Sequence, residues 1–312
     1  MLSRIAESLF WIGRYVERAD DTARILDICL HLILEDASME ASACRSMFEV
    51  MGRPVPDGQA GDVGVSEVLQ KLAYDQQSPS SITGALAAAR VNARSARDAV
   101  SSELWEALNL TFLDLSEQRR RAQRAGTHRF FQWVRERAAL ISGIADSTMS
   151  RDEGWLFLVL GRSIERADMT ARLITTRAAG SGPGPSWTTL LRSCGANEAY
   201  LRTYRGRVSD QTAAEFLLLD RLFPRSMFFA LSAAEECLGL LDRGEGRVGS
   251  TDLAHRLLGR ARTGLEYRGV EEMLSDLPGQ LESIQNACAE ATSALGTRYF
   301  PHAVISWVGK GA

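Results

Sequence analysis

Lysine is nearly missing from this chain. Lys71 and Lys310 are the only two among 36 basic residues, so almost all positive charge is guanidinium. Guanidinium groups bind carboxylates and phosphates through a planar fork. Genome composition bias produces the same preference, so the bias by itself assigns no ligand. Cysteine is scarce and unpaired. Cys29, Cys44, Cys194, Cys237 and Cys288 form no CxxC and are odd in number. They read as reduced core thiols of a cytoplasmic protein, which excludes a disulfide scaffold. The four histidines, His31, His128, His255 and His302, are scattered, without HExxH or ExxH spacing. The expectation is therefore no zinc or di-iron centre. No stretch approaches the roughly 20 apolar residues of a membrane helix. Arg4, Glu7 and Arg14 interrupt the apolar run that a secretory leader would need. The net charge of −3 supplies no strong field for nucleic acid or membrane. P-loop, strand-borne GxGxxG and GxSxG signatures are absent as well.

What is present is a repeated sentence. Residues 13–24 read GRYVERADDTAR and residues 161–172 read GRSIERADMTAR, with nine of twelve positions identical at an offset of 148. A second echo links Asp75-x-x-x-Pro79-x-Ser81 to Asp220-x-x-x-Pro224-x-Ser226 at an offset of 145. Duplicated helical units are expected, one over 1–150 and one over 151–312.

Apolar residues at spacings of three and four predict a first helix over 3–35, capped by Ser3. Further helices are predicted over 39–51, 65–74, 80–100, 102–115, 129–149, 152–177, 187–194, 198–205, 211–219, 224–241, 251–267 and 278–295. Loops are predicted at GRPVPDGQAGDVG (52–64) and SGPGP (181–185). Period-two alternation is rare. The class is all-α: two pseudo-repeated multi-helix bundles packed through their long GRxxERAD helices. Pro79 and Pro224 suit first helical turns, with Ser78 or a neighbour capping the first copy.

On a helical wheel Gly13, Arg14, Glu17, Asp20 and Arg24 border the apolar stripe along one arc, as do Gly161, Arg162, Glu165, Asp168 and Arg172. Two readings stand at this point. The arcs are half-buried ion networks that set helix register. Alternatively they face each other across a cleft, where Glu17 and Glu165 among arginines orient a charged substrate or hold Mg²⁺ through water. Gly13 and Gly161 in mid-helix imply close approach of a backbone or ligand. A second set, Arg90, Asn92, Arg94 and Arg97 with Trp105 and Asn109, reads equally as a solvated face or a ligand site. The basic stretch RRRAQRAGTHRFFQWVRER (119–137) carries a helical apolar pattern within an acidic protein, which argues against nucleic-acid binding.

Three stretches, MLSRIAESLFWIGRYVERADDTARIL with its echo, AARVNARSARDAVSSELWEALN, and FLLLDRLFPRSMFF, resemble the bacterial alpha-E domain family over essentially the whole chain. The resemblance implies an all-helical fold named for its glutamate, which maps to Glu17 and, through the repeat, Glu165. The family's arginines map to Arg14, Arg18 and Arg24. It also implies association with a circularly permuted ATP-grasp protein, and with transglutaminase-like proteases, in a system that makes amide bonds. The leading expectation is an accessory subunit of an ATP-grasp amidoligase that binds the ligase or a peptide or amino-acid ligand. One alternative is an enzyme acting on the amide product or acyl phosphate, with Glu17 or Glu165 as acid/base. Another is a structural scaffold. The expected ligand contacts are Arg14, Arg18, Asp20, Arg24, Arg162, Arg166, Asp168, Arg172, Arg90, Asn92 and Arg94. No cofactor is expected, with Mg²⁺ at the carboxylates as the one option.

Overall fold

The computed structural model describes residues 1–55, 63–178, 185–242 and 249–301. Residues 56–62 and 181–184 of the two expected loops lie outside the described residues, as do His302 and Lys310. Fourteen α-helices and no strand occur among the described residues. They are α1 (Ser3–Glu35), α2 (Glu40–Val50), α3 (Val65–Val68), α4 (Ile82–Ser95), α5 (Ser102–Ala125), α6 (His128–Thr148), α7 (Glu153–Ala178), α8 (Trp187–Ser193), α9 (Asn197–Tyr204), α10 (Asp210–Leu219), α11 (Met227–Leu241), α12 (Leu253–Glu266), α13 (Val270–Ser275) and α14 (Leu277–Tyr299). None is long and apolar enough to cross a membrane.

The two repeated sentences lie on α1 and α7, which pack on each other at the centre. Leu9, Ile12, Val16, Ala19, Ala23 and Leu26 form the buried stripe of α1, and Leu160, Ile164, Ala167, Ala171 and Ile174 that of α7. The same pairings recur in both halves. Helix α1 packs on α4 and α6, with α5 closing the ring; α7 packs on α11 and α14, with α12 closing the ring. The short helices cross over, α2 onto α7 and α8 onto α1.

Glycine sets how closely the central helices approach. A Cβ on Gly13 would lie 2.1 Å from the Leu158 carbonyl oxygen, and one on Gly161 would lie 2.0 Å from the Phe10 carbonyl oxygen. Each glycine thus faces the backbone three residues before the other. Any side chain here would drive the helices apart, which outweighs the usual cost of a mid-helix glycine. The close approach is to a backbone, not to a ligand.

Several boundaries differ from the sequence expectation for local reasons. Helix α1 has Leu2 at its N-cap and no side-chain cap, so Ser3 does not cap it. Ser81 and Ser226, not Ser78, cap α4 and α11 by accepting from Gly84 N and Phe229 N. Their hydroxyls donate to the Asp75 and Asp220 carbonyls at 2.5 Å. Pro79 and Pro224 therefore lie in the turns ahead of these helices. Helix α5 continues past Leu115 because SEQRRRAQRA is rich in strong helix formers, and Glu117 pairs with Arg120 and Arg121. The short α13 was not expected. The 65–74 helix resolves into α3 and a π turn, Leu69–Ala73.

Candidate functional site: a buried carboxylate–guanidinium clasp

The polar arcs of α1 and α7 meet and interlock. From α1, Arg14 Nε donates to Glu165 Oε2 at 2.7 Å and Arg18 Nε donates to Oε1 at 2.6 Å. A second Arg18 bond, from Nη2 to Oε2, measures 2.9 Å. From α7, Arg166 Nε donates to Glu17 Oε1 at 2.6 Å. Each glutamate is thus held by the arginine that follows its twin. The outer arginines also cross over. Arg14 Nη1 donates to Thr292 Oγ1 on α14 at 2.9 Å, while Arg162 Nη2 lies 3.5 Å from Asp146 Oδ1 on α6.

Asp20 and Asp168 accept from the next turn of their own helices, from Arg24 Nε and Arg172 Nε, each at 2.9 Å. Gly195 (φ 64°) and Gly52 (φ 60°) roof these guanidinia, and a Cβ there would come within 2.9 and 2.7 Å of them.

One residue outside the arcs completes the network. Arg225, in the turn before α11, sits 2.6 Å from Glu17 Oε1 and 2.5 Å from Asp20 Oδ2, and also pairs with Asp21. It is absent from the sequence-derived set, although its signal was there. Arg225 stands where the first copy has Ser80, and Asp21 stands where the second has Met169. Two departures from the repeat, one of each sign, meet in space.

The two glutamates at its centre are sealed. Glu17 is 3% exposed and Glu165 is 1% exposed. Burial would raise the Glu165 carboxyl, but Arg18 and Arg14 outweigh it and hold it at about 2. Glu17 is likewise lowered against its burial, by Arg225 and Arg166. Asp21 goes the other way. Burial, with Glu17 and Asp20 alongside, pushes it up to about 8 despite Arg225. Asp168 is raised by burial against the pull of Arg172. Burial also pushes the neighbouring Cys194 thiol up to about 12, which leaves it an inert thiol.

Two voids adjoin the clasp. One is lined by Asp21, Thr170, Cys194 and Arg225, the other by Gly13, Glu17, Ile141 and Arg162, and each holds about 10 Å³. That is the volume of one water at most. A cleft of about 490 Å³ between α12 and α14 contains none of the sequence-derived site residues.

The second arginine set stands apart from the clasp. Arg90 Nε donates to Asn109 Oδ1 at 3.0 Å and lies over the Phe112 and Trp105 rings. Asn92 turns back to the Ala88 carbonyl at 2.9 Å, Arg97 covers Trp105, and Arg94 is exposed. In the basic stretch, Arg119 lies over Tyr74 and Arg137 donates to Thr111 Oγ1. The histidines are not all scattered, contrary to the sequence expectation. His31 and His128 converge on the buried Asp27 at the end of α1. The local signal was the i,i+4 spacing of Asp27 and His31; the 101-residue gap to His128 hid the rest.

Residues 1–300 match the Alpha-E family model, described as a predicted alpha-helical domain with a conserved ER motif. The protein thus falls in a class of all-helical domains with a conserved ER motif; Glu-Arg occurs in this chain at Glu17-Arg18, Glu136-Arg137 and Glu165-Arg166. The chain belongs to the Alpha-E family. Similar proteins include uncharacterized proteins of Mycobacterium bovis and Mycobacterium tuberculosis strain CDC 1551, each 26% identical over 264 residues. A third, from Mycobacterium tuberculosis strain H37Rv, is 25% identical. The match takes in 73% of this chain but 28% of those proteins, so the chain spans under a third of their length. No solved structure matches.

Proposed function

We propose that this chain is a non-catalytic helical partner of an ATP-grasp-type amidoligase, in which the Glu17-Arg18 and Glu165-Arg166 pairs clasp the halves together. The carrying observation is the state of the two glutamates. Each is buried, each is bound by two guanidinia, and the space beside them admits at most a water. A general acid or base needs a proton to exchange near working pH and a path to substrate. Glu165, held at about 2, carries none at neutral pH. This weighs against the enzyme reading and gives the ER motif a mechanical role. The ligase association rests on the family resemblance, and such work with ATP would be cytoplasmic. The greater length of the curated relatives fits a unit that works joined to other domains.

The test is ATP consumption and mass-spectrometric product analysis, with a circularly permuted ATP-grasp protein from the same genome. Product formation should require this chain and should survive Glu165→Gln at a temperature where that variant is folded. Unchanged ligase output without this chain, together with no complex between the two, would sink the partner reading. A folded, complex-forming Glu165→Gln chain that yields no product would restore the enzyme reading.

A further inference from the structure

Asp27, His31 and His128 form the second polar cluster, one turn beyond Arg24. Asp27 and His31 are four residues apart and share a face of α1. His128 is the first residue of α6 and comes from the opposite side. His128 Nδ1 lies 2.7 Å from Asp27 Oδ1, and His31 Nδ1 lies 3.7 Å from the same oxygen and 2.7 Å from the Asp27 carbonyl oxygen. The imidazoles stand edge to face, 5.1 Å between centroids. One donor atom from each residue falls within 4.8 Å of the others.

We propose that these three residues bind a first-row divalent ion, with Zn²⁺ as the fitting occupant. Two imidazole nitrogens and a carboxylate oxygen are a donor set that zinc takes at about 2.0–2.2 Å. Tetrahedral ligands at that radius are roughly 3.3 Å apart, so small ring rotations close the present cluster onto an ion. The burial pattern suits binding. The Asp27 side chain is 7% exposed and fixed, while the His31 and His128 side chains are 54% and 56% exposed and admit the ion and a fourth, water ligand. Arg135 Nη1, 3.6 Å from Asp27 Oδ2, holds the other oxygen and leaves Oδ1 to the imidazoles. A charge partner behind a ligating carboxylate is a usual outer-shell arrangement. The Arg135 Nε is buried without a hydrogen-bond partner, so this guanidinium is not otherwise fully engaged. Bound there, the ion would tie the end of α1 to the start of α6. The proposal is independent of the ligase reading.

The test is calorimetric titration of the untagged, chelator-stripped chain with ZnCl₂, with Co²⁺ absorption as a geometric check. Saturable 1:1 binding is expected, with tetrahedral cobalt bands and a higher unfolding temperature in the presence of zinc. His31→Ala and His128→Ala should each weaken binding at least ~10-fold. Both side chains are half-exposed, so the variants should stay folded, which circular dichroism checks. His255→Ala, remote in sequence and paired to Glu235, should bind as the wild type does. No saturable binding, or binding that persists unchanged in both His31→Ala and His128→Ala, overturns the proposal.

Discussion

The two glutamates sit in matching places and in unlike company. Around Glu165, two guanidinia, Arg14 and Arg18, meet one carboxylate. Around Glu17, Arg166 and Arg225 meet Glu17, and Arg225 also serves Asp20 and Asp21. The first cluster is rich in cation and the second is crowded with carboxyls. The difference comes from two positions on different elements, Asp21 against Met169 and Arg225 against Ser80. Asp21 alone would add a buried carboxyl beside Glu17 and Asp20 without Arg225 to offset it, which is costly, whereas Arg225 alone would still pair with Glu17 and Asp20; together they add one charge of each sign. A duplicated core can therefore diverge in charge, provided the divergence comes in pairs.

The strongest way to break that argument is to undo half of the pair. Arg225→Ala leaves Glu17, Asp20 and Asp21 facing one another in a buried site, and should cost about 3–5 kcal/mol in denaturant unfolding. The double variant Asp21→Met with Arg225→Ser rewrites the Glu17 cluster in the terms of the Glu165 cluster. It should cost at least ~2 kcal/mol less than Arg225→Ala. A double variant as unstable as the single one would mean that the two positions do not compensate. Glu165→Gln comes next, at about 3 kcal/mol, because it strands both Arg14 and Arg18. Glu17→Gln should cost about 1–2 kcal/mol, since Arg225 keeps Asp20 and Asp21 as partners. Equal losses for the two glutamines would remove the asymmetry.

The clusters should also answer pH in opposite senses. Glu165 is lowered from 4.5 to about 2, so its contribution is present above 4.5 and lost as pH falls through about 2. Asp21 is raised from 3.8 to about 8, so its contribution is present below 3.8 and lost as pH rises through about 8. Asp21→Asn should therefore flatten the alkaline limb, gaining up to about 4 kcal/mol over wild type between pH 5 and pH 9. The acid limb should stay in place. Urea midpoints from about pH 2 to pH 9 measure both limbs, and an unchanged alkaline slope in Asp21→Asn would assign it to another group.

Much of this was readable along the chain, and the unread part has a common cause. The long helices α1 and α7 follow from apolar residues at helical spacing, and the repeat made the arcs of Arg14, Glu17, Arg162 and Glu165 visible as a set. Both the clasp and the cleft were open readings, because a helical wheel shows which residues share a face and not how deeply that face is covered. The depth comes from Gly13 and Gly161, whose backbone contact closes the gap that a substrate would need. Arg225 and His128 were missed because each reaches its partners from another element, across 204 and 101 residues. Local pattern carries no term for such distances. For Arg225 the paired break in the repeat was a substitute signal; His128 had none.

The smallest expected effect tests whether the comparison is confined to the central helices. Arg90 lies over the rings of Phe112, 4.8 Å from its centroid, and Trp105, and it bonds Asn109. These partners all sit on α5, and none belongs to either clasp. Arg90→Ala should cost about 1 kcal/mol from lost ring contact and one hydrogen bond. Combined with Arg225→Ala, the losses should add within about 0.5 kcal/mol, because the two arginines share no bonded partner. A larger coupling energy would mean that α4, which packs on α1 and α5, transmits changes in the clasp to the α4–α5 surface. The charge asymmetry would then be a property of the whole first bundle rather than of two buried clusters.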